Sequence, residues 1–321
     1  MTRTLSFIVP VRNNADGLRR CLGTLGAGAT HEVIVADNGS TDGSADVARS
    51  AGARVLTMPG QRVSALRNAA AEAAAGDLLA FVDSDHELAP GWAAAAERLF
   101  QDEPAAVAAG APYHAPRDGT WVQRMYDKLR TRQSGRKPTT WLPSGNLVVR
   151  RAAFEAVGGF DTTLETCEDV DLCQRLAARG GRVLESDELA SVHLGDPRTL
   201  GAVFLGELWR GRDNLRVTLR GPLSLRSLPS LLIPVAILVG LAALVAGLLF
   251  WPWGGWTVAA AGALVVGVLV AARTWVLVGR VARAERTTRT ALEALLVGAT
   301  YDVARAFALV SRPSHDLRRK S

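Results

Sequence analysis

The stretch that decides the fold lies between residues 5 and 85, where four short apolar segments alternate with segments compatible with helices. The four segments are LSFIVPV (5–11), HEVIVAD (31–37), ARVLTM (53–58) and DLLAFVDSD (77–85). This alternation is typical of a parallel sheet covered by helices, and nearly continuous apolar strands suit a sheet that is buried on both faces. The sequence therefore predicts an α/β fold with a mostly parallel sheet between helices.

Polar side chains follow three of the four segments. They are Arg12 and Asn13; Asp37, Asn38 and Ser40; and Asp83 and Asp85. In open α/β sheets, ligands bind at the carboxyl ends of the strands. We therefore expect these side chains to converge on one cleft.

The motif Asp83-Ser84-Asp85 ends the fourth segment. Residues i and i+2 of a strand share a face, and paired carboxylates are suitable ligands for Mg²⁺ or Mn²⁺, which in turn bind diphosphate oxygens. The alternative is a turn with an Asx cap. The position at the end of a buried strand favours the metal site.

Two further candidates carry open alternatives. Asp37 begins DNGSTD (37–42) and could accept hydrogen bonds from a nucleobase, although turn and N-cap chemistry explains the same residues. Arg67 lies on a predicted helix, where it could neutralise a phosphate or be an ordinary solvated arginine.

A second ordered block runs from WLPSGNLVVRRAAF (141–154) to RVLESDELASVH (182–193), which is interpreted as a final strand and turn. Between them, a helix is predicted to begin near Thr166 and to end at Gly180–Gly181. Glu168 and Asp169 fall in its first turn. They are candidate catalytic acids, but Thr166-x-x-Asp169 also has nearly the form of a capping box.

The net charge of +6 is divided unevenly along the 321 residues. Residues 1–197 carry 21 Lys/Arg and 25 Asp/Glu, whereas residues 198–226 carry 6 and 2, and residues 273–321 carry 10 and 4. The basic charge therefore flanks one segment, which argues against a nucleic-acid-binding face.

That segment, residues 227–272, contains no charged residue and no histidine. Its length suits two membrane-crossing helices of about 20 residues each, and WPWGGW (251–256) suits a turn at the headgroup level. We predict a transmembrane hairpin over residues 227–280, with helices at about 229–250 and 256–278. A buried helical pair in a soluble core is the alternative.

Arginines before and after the hairpin predict that both of its ends are cytoplasmic. The segments on either side are interpreted as basic interfacial helices (198–226) and an amphipathic basic cytoplasmic tail (281–321), with an interfacial helix at 288–312. Residues 1–197 form the predicted cytoplasmic catalytic domain. Few lysines and many alanines indicate a bacterial gene, hence the bacterial inner membrane. Cys21, Cys167 and Cys173 show no metal or disulfide pattern.

Five motifs in order carry a family resemblance. They are IVPVRN, ADNGSTDGS, ALRNAAAEAAAGDLLAFVDSD, SGNLVVRRAAFEAVGGFD and EDVDLCQRL. Together they cover about residues 4–195 and resemble glycosyltransferase family 2, inverting enzymes with the nucleotide-sugar-binding GT-A fold. Ala70 and Arg12 depart from the pattern, because the family usually has a glycine and often an aromatic residue there.

The resemblance implies a role for each matching residue. Pro10, Asn13, Asp37, Arg67 and Asp83 would bind the nucleotide donor; Asp85, Asp83 and His193 would bind Mg²⁺ or Mn²⁺; Trp141, Ser144 and Asn146 would lie on the acceptor side. Asp169, with Glu168 beside it, would be the base that takes the proton of the acceptor hydroxyl.

The resulting hypothesis is a membrane-anchored inverting glycosyltransferase. Its partners would be a nucleotide-sugar donor (UDP-, GDP- or dTDP-linked), a lipid-linked or glycan acceptor and membrane lipids, with no nucleic acid. Two alternatives remain: a sugar nucleotidyltransferase, although VRNNADGLRR (11–20) lacks a glycine-rich phosphate loop, and an inactive membrane scaffold with the same fold.

Overall fold

A computed structural model describes residues 5–25, 31–130, 134–220 and 228–311. The chain divides into two compact units. The first comprises residues 1–116 and 131–196, and the second comprises residues 117–130 and 197–321. The boundary at 196/197 agrees with the predicted end of the catalytic domain, but residues 117–130 lie inside that predicted domain and belong to the second unit.

The described residues form ten strands and twelve α-helices. The strands are β1 Leu5–Val11, β2 Glu32–Asp37, β3 Arg54–Thr57, β4 Leu78–Val82, β5 His86–Leu88, β6 Ala106–Gly110, β7 Arg136–Pro138, β8 Asn146–Arg150, β9 Arg182–Ser186 and β10 Ser191–His193. The helices are α1 Ala15–Thr24, α2 Ser44–Ser50, α3 Val63–Ala73, α4 Trp92–Asp102, α5 Trp121–Asp127, α6 Arg151–Ala156, α7 Glu168–Ala178, α8 Leu200–Arg210, α9 Asn214–Arg220, α10 Leu228–Leu249, α11 Trp256–Gly279 and α12 Thr288–Phe307.

The first unit is built on an eight-stranded sheet in the order β3-β2-β1-β4-β8-β6-β9-β7. The first four strands are parallel, as the sequence predicts, and β1 lies between β2 and β4. The other half is mixed, because β8 is antiparallel to both β4 and β6, and β7 is antiparallel to β9. The predicted α/β fold is confirmed, with its parallel character concentrated in the N-terminal half.

The segment predicted as one final strand, residues 182–193, is two strands in different sheets. β9 joins the large sheet, whereas β10 pairs antiparallel with β5 in a separate two-stranded sheet. A short 3-10 helix, Asp187–Leu189, separates them. The interpretation as a single strand and turn is therefore wrong, because the chain leaves the large sheet at that helix.

The core of the first unit lies on both faces of the large sheet. Phe7, Trp92 and Phe100 pack on one face, and Ile8 and Phe81 pack on the other. Phe7 and Ile8 are successive residues of β1 and point to opposite faces, as the two-residue repeat of a strand requires. Burial on both faces explains why the strand sequences are apolar throughout.

The second unit contains the two long apolar helices. The most apolar 18-residue stretches of α10 and α11 have mean hydropathies of 2.7 and 2.0, and only 22% and 11% of these stretches are buried. Each is long and apolar enough to cross a membrane, and their bounds lie within one residue of the predicted hairpin. Such exposure disfavours the alternative of a buried soluble pair.

Helices also flank this hairpin on both sides, and their position at a membrane interface stays a prediction. α8 and α9 occupy part of the predicted interfacial segment 198–226, of which residues 221–227 lie outside the described residues. α12 begins at the predicted residue 288 and ends at Phe307. It packs against α8, α10 and α11, so Asp302 is buried against its neighbours instead of facing water.

Candidate active site

The ends of β1, β2 and β4 meet, as their neighbouring positions in the sheet require. The Asn13 amide donates to Ser40 Oγ at 2.9 Å, and the Thr41 amide donates to Asn13 Oδ1 at 2.7 Å. Asn14 Nδ2 donates to Ser84 Oγ at 3.1 Å. The predicted convergence of the three strand ends on one site is what the structure shows.

The donor-side residues occupy the first two strands. Pro10 is buried in β1 opposite Ala36, and Asp37 ends β2 with 2% of its surface exposed. The Ser40 amide donates to Asp37 Oδ1 at 3.1 Å, which is the turn chemistry that the sequence left open. Asn13 has a φ of 50°, an uncommon conformation for a residue other than glycine.

Arg67 joins carboxylates from two distant segments. Its guanidinium lies 2.7 Å from Asp83 Oδ1 and 2.8 Å from Glu168 Oε1, and only 3% of the side chain is exposed. The interpretation as a solvated arginine is therefore wrong. Its two terminal nitrogens are engaged by protein carboxylates, so Arg67 orders the site, and a direct role toward phosphate stays a prediction.

Asp169 is held differently from its neighbour. Its carboxylate accepts from the Ser144 amide at 3.2 Å and from the Val170 amide at 2.8 Å. Burial raises the pKa of Asp169 to about 7, and the Glu168 carboxylate adds to this, whereas the two amides and Arg67 oppose it. A carboxylate with such a pKa is suited to accept a proton near neutral pH.

The capping-box alternative for this segment is wrong. α7 begins at Glu168, one residue later than a capping box with Thr166 as N-cap requires. Its N-cap is Cys167, which has a φ of 61° and makes no capping hydrogen bond through its side chain. Asp169 therefore lies in the first turn with its carboxylate turned to Ser144. The helix does not need that carboxylate as a reciprocal cap.

Asp85 and His193 come together at the other end of the site. His193 Nε2 lies 3.2 Å from Asp85 Oδ2, and His193 Nδ1 lies 2.7 Å from Asp196 Oδ1. Burial lowers the pKa of His193, but the carboxylates of Asp85 and Asp196 more than offset this and raise it to about 9. The surroundings thus favour positive charge here, supplied by a proton or by a metal ion.

The ligand atoms of Asp85, His86 and His193 all lie within 4.8 Å of one another, the one such cluster found among the described residues. Asp83 is outside it, and Arg67 holds one of its oxygens. His86 is a residue that the sequence analysis missed. It directly follows the Asp83-x-Asp85 motif, but that proximity alone gives no signal of a shared site.

Two glycines border these side chains and leave room for them. A Cβ atom at Gly195 would clash with Asp85 Oδ2, and one at Gly145 would lie 2.7 Å from Asp83 Oδ2. A side chain at either position would therefore displace the neighbouring carboxylate. Oxygen and imidazole donors converging between glycines fit a divalent cation such as Mn²⁺.

The three predicted acceptor-side residues have different surroundings. Trp141 is 48% exposed, and Ser144 lies between Asp169 and Glu168. Asn146 is completely buried; its amide donates to the carbonyls of Ala111 and Leu189, and its oxygen accepts from Trp92 Nε1. The predicted acceptor-side role of Asn146 is therefore wrong, because this side chain is occupied inside the core.

The sheet and the site at its strand ends define a GT-A fold, the nucleotide-sugar-binding class of α/β proteins. Among solved structures, the mannosyltransferase PcManGT from Pyrobaculum calidifontis, in complex with GDP-Man and Mn²⁺, superposes with a TM-score of 0.56 at 17% identity. The match covers 93% of this chain and 86% of that chain and shows the shared fold.

Sequence comparison agrees with the resemblance drawn from the motifs. Residues 6–158, just under half of the chain, match the family model Glycosyl transferase family 2. A pre-mycofactocin glycosyltransferase of Mycobacterium tuberculosis is 33% identical over 199 residues, 56% of this chain but only 40% of that protein. The succinoglycan biosynthesis protein ExoA of Rhizobium meliloti is 29% identical over 293 residues, 82% of this chain and 85% of that protein.

Proposed function

We propose that this chain is a metal-dependent, inverting glycosyltransferase. It moves a sugar from a UDP-, GDP- or dTDP-linked donor to a membrane-proximal, lipid-linked acceptor in cell-envelope glycan or glycolipid synthesis. The observation that carries the proposal is the division of the carboxylates: Asp169 lies beside Ser144, Asp85 lies with two histidines, and Arg67 joins Asp83 to Glu168. The match to the family model and the names of the relatives support it.

On the donor side, Asp37 and the backbone around Asn13 bind the nucleoside. Asp83, fixed by Arg67, contacts the ribose, and Asp85 and His193 hold the metal ion. A bound divalent cation supplies charge neutralisation for the donor diphosphate and for the departing nucleoside diphosphate. Asp196 orients the His193 ring through Nδ1, as carboxylates commonly do for histidine ligands.

On the acceptor side, Asp169 is the base. As the acceptor oxygen forms its bond to the anomeric carbon, the hydroxyl proton passes to the Asp169 carboxylate. The bond from that carbon to the diphosphate oxygen breaks, and the nucleoside diphosphate leaves with the electron pair. Attack opposite the leaving group inverts the anomeric carbon. Glu168 is less available for this role because Arg67 occupies one of its oxygens.

The membrane part of the proposal comes from the second unit. The two long apolar helices α10 and α11 suggest membrane association, and basic residues flank them. Arg216 and Arg220 precede the hairpin, and Arg280 and Arg283 follow it. We place both ends of the hairpin on the cytoplasmic side of a bacterial inner membrane, where nucleotide sugars are made and a lipid-linked acceptor is within reach.

The test is nucleoside diphosphate release by the purified full chain, measured over a panel of UDP-, GDP- and dTDP-sugars with Mn²⁺ and a membrane lipid extract as acceptor. Asp169→Asn should lower turnover by about 10²–10⁴-fold, since it removes proton acceptance, while donor affinity hardly changes. A nucleotidyltransferase would release pyrophosphate from a nucleoside triphosphate and a sugar phosphate, and a scaffold would release neither product.

Glu168→Gln is the matched control, because it makes the same chemical change one residue away. We expect a smaller loss of turnover, arising from a weakened contact with Arg67. A larger loss in Glu168→Gln than in Asp169→Asn would assign the base to Glu168. A negligible loss of turnover in both variants would show that neither carboxylate takes part in the reaction.

A further inference from the structure

His86 lies in the middle of the metal cluster although the reaction described above gives it no role. It is the first residue of β5, and the antiparallel register places it directly opposite His193 of β10. Directly opposite residues of an antiparallel pair project from the same face. The two rings are accordingly neighbours, with their centroids 4.7 Å apart.

We infer that His86 is a third metal ligand, beside Asp85 and His193, and that this set of two imidazoles and one carboxylate makes the site select Mn²⁺ over Mg²⁺. The inference rests on the proposed function, since it refines the metal site of that same reaction. It extends that site by one residue and assigns it a preference between cations.

The Nδ1 atom of each histidine is held by a buried side chain, and His193 Nε2 faces Asp85 Oδ2, an atom of the carboxylate ligand, at 3.2 Å. His86 Nδ1 lies 3.3 Å from the buried Ser191 Oγ, and His193 Nδ1 lies 2.7 Å from the buried Asp196 Oδ1. Each Nε2 is then the ligand atom. A partner on the opposite ring nitrogen is the usual arrangement for metal-binding histidines, because it fixes both tautomer and orientation.

The rings are also fixed by packing. Tyr113 contacts both of them, edge-on to His86 at 4.8 Å and tilted against His193 at 4.7 Å between centroids. Gly145 lies on the other side of His86, where a Cβ atom would come within 3.0 Å of Nε2. His86 is 1% exposed and His193 is 5% exposed, so the two nitrogens are held close together without freedom to turn to solvent.

The donor types decide the preference between cations. Mg²⁺ favours oxygen ligands in near-ideal octahedral geometry and gives up its water reluctantly. Imidazole nitrogen binds first-row transition metals more readily, while the carboxylate of Asp85 suits Mn²⁺ as well as Mg²⁺. A site with one carboxylate and two imidazoles therefore gains more from Mn²⁺ than from Mg²⁺, and His86 supplies half of the nitrogen donors.

The experiment uses metal-free full-length protein in detergent, without donor or acceptor. Mn²⁺ binding is measured by the loss of the free-ion electron paramagnetic resonance signal, and Mg²⁺ is then added as competitor. We expect Mg²⁺ to bind at least about tenfold more weakly than Mn²⁺. His86→Gln should weaken Mn²⁺ binding by about 10- to 100-fold and reduce the preference over Mg²⁺.

His114→Gln is the matched control, since His114 neighbours β10 through its backbone but has an exposed side chain. It should leave the Mn²⁺ affinity within about twofold of the wild type. Electron spin-echo measurements on the bound Mn²⁺ count the coordinated ¹⁴N nuclei directly. We expect two imidazole nitrogens in the wild type and one in His86→Gln, and the wild-type count stands even if the variant does not fold.

One coordinated nitrogen in the wild type, unchanged Mn²⁺ affinity in folded His86→Gln, or equal competition by Mg²⁺ would each overturn the inference. Because no sugar transfer is measured, these outcomes are independent of the reaction. If nucleoside diphosphate is released in a metal-dependent way but the Mn²⁺ has a single coordinated nitrogen, only this inference is wrong. If the Mn²⁺ has two coordinated nitrogens but no sugar is transferred, only the proposed function is wrong.

Discussion

Asp169 and Glu168 are adjacent in the chain, but the fold gives them different partners. Glu168 pairs with the buried Arg67, a contact between residues 101 positions apart. Asp169 instead accepts hydrogen bonds from two backbone amides, and its burial without a cation in direct contact favours the protonated form. The difference in charge compensation, rather than the identity of the residues, separates a positioning role from a proton-accepting one.

This environment predicts that Asp169 makes folding less favourable as the pH rises. Its pKa is raised from 3.8 to about 7, so the unfolded chain loses this proton at lower pH than the folded one. The free energy of unfolding should therefore fall between about pH 4 and pH 7 and then stay level. At pH 8 the melting temperature of Asp169→Asn should be higher than that of the wild type, by about 2–4 °C for each kcal/mol of destabilisation that the substitution removes.

Thermal melts of both proteins at pH 5 and pH 8 measure this effect. Asp171→Asn is the control, because Asp171 lies in the same helical turn but is paired with Arg175 at 2.7 Å. The Asp171→Asn variant should be less stable at pH 8 than at pH 5, as the wild type is. Equal differences between Asp169→Asn and the wild type at the two pH values would contradict the raised pKa.

At the scale of elements, a buried carboxylate joins three helices of the second unit. Glu207 of α8 is 1% exposed and contacts Arg305 of α12, Arg210 of α8 and the hydroxyl of Tyr126 of α5. Burial raises the pKa of Glu207, but the two arginines more than offset this and lower it to about 2. The stabilisation is therefore present above about pH 4.5 and is lost only as the pH falls toward 2.

Glu207→Ala should destabilise the second unit by up to about 3–5 kcal/mol, since it leaves two partly buried arginines without their buried carboxylate. Unfolding in detergent, followed by circular dichroism, measures the loss. Glu293→Ala is the matched control: it breaks the exposed pair with Arg289 within α12 and should cost no more than about 0.5 kcal/mol. Similar losses in the two variants would show that Glu207 does not join the helices energetically.

The hairpin helices approach each other at glycines. A Cβ atom at Gly262 of α11 would clash with the Gly240 carbonyl oxygen of α10, whereas one at Gly267 would meet nothing within 4 Å. Small residues allow this close contact between helix backbones in membranes. The two positions lie on one helix, so they form a matched pair for a packing test.

Gly262→Val should force the two helices apart and lower the thermal stability of the detergent-solubilised protein, with a cost of about 1–3 kcal/mol as for overpacking in a core. Gly267→Val should be nearly neutral, because its side chain would extend into open space. Loss of monomeric protein after heating, followed by gel filtration, compares them. Equal sensitivity would argue against the close pairing of α10 with α11.

At the scale of the whole molecule, the distribution of charge predicts the topology. Basic residues flank both ends of the uncharged segment 227–272, which predicts that both ends are cytoplasmic. A reporter fused after Ser321 should be active only as a cytoplasmic reporter, and one inserted between Gly254 and Gly255 should be active only outside. An external reporter at Ser321 would require α12 to span the membrane and would overturn the two-crossing topology.

The sequence by itself determined the features that depend on local pattern. The parallel half of the sheet follows from apolar runs in β1 to β4, because residues buried on both faces must be apolar throughout. The two membrane-length helices follow from an uncharged segment long enough for two crossings. The meeting of the strand ends that carry Asn13, Asp37 and Asp83 follows from the rule that neighbouring parallel strands present their carboxyl ends at one edge.

The tertiary structure alone decided which distant residues meet. Arg67 reaches Glu168, His86 faces His193, and Asn146 is turned into the core. It also placed α5 in the second unit. These contacts depend on strand order, on the register between β5 and β10, and on where the chain leaves the large sheet. No hydrophobic period encodes them, because periodicity specifies which face of an element is buried but not which partner covers it.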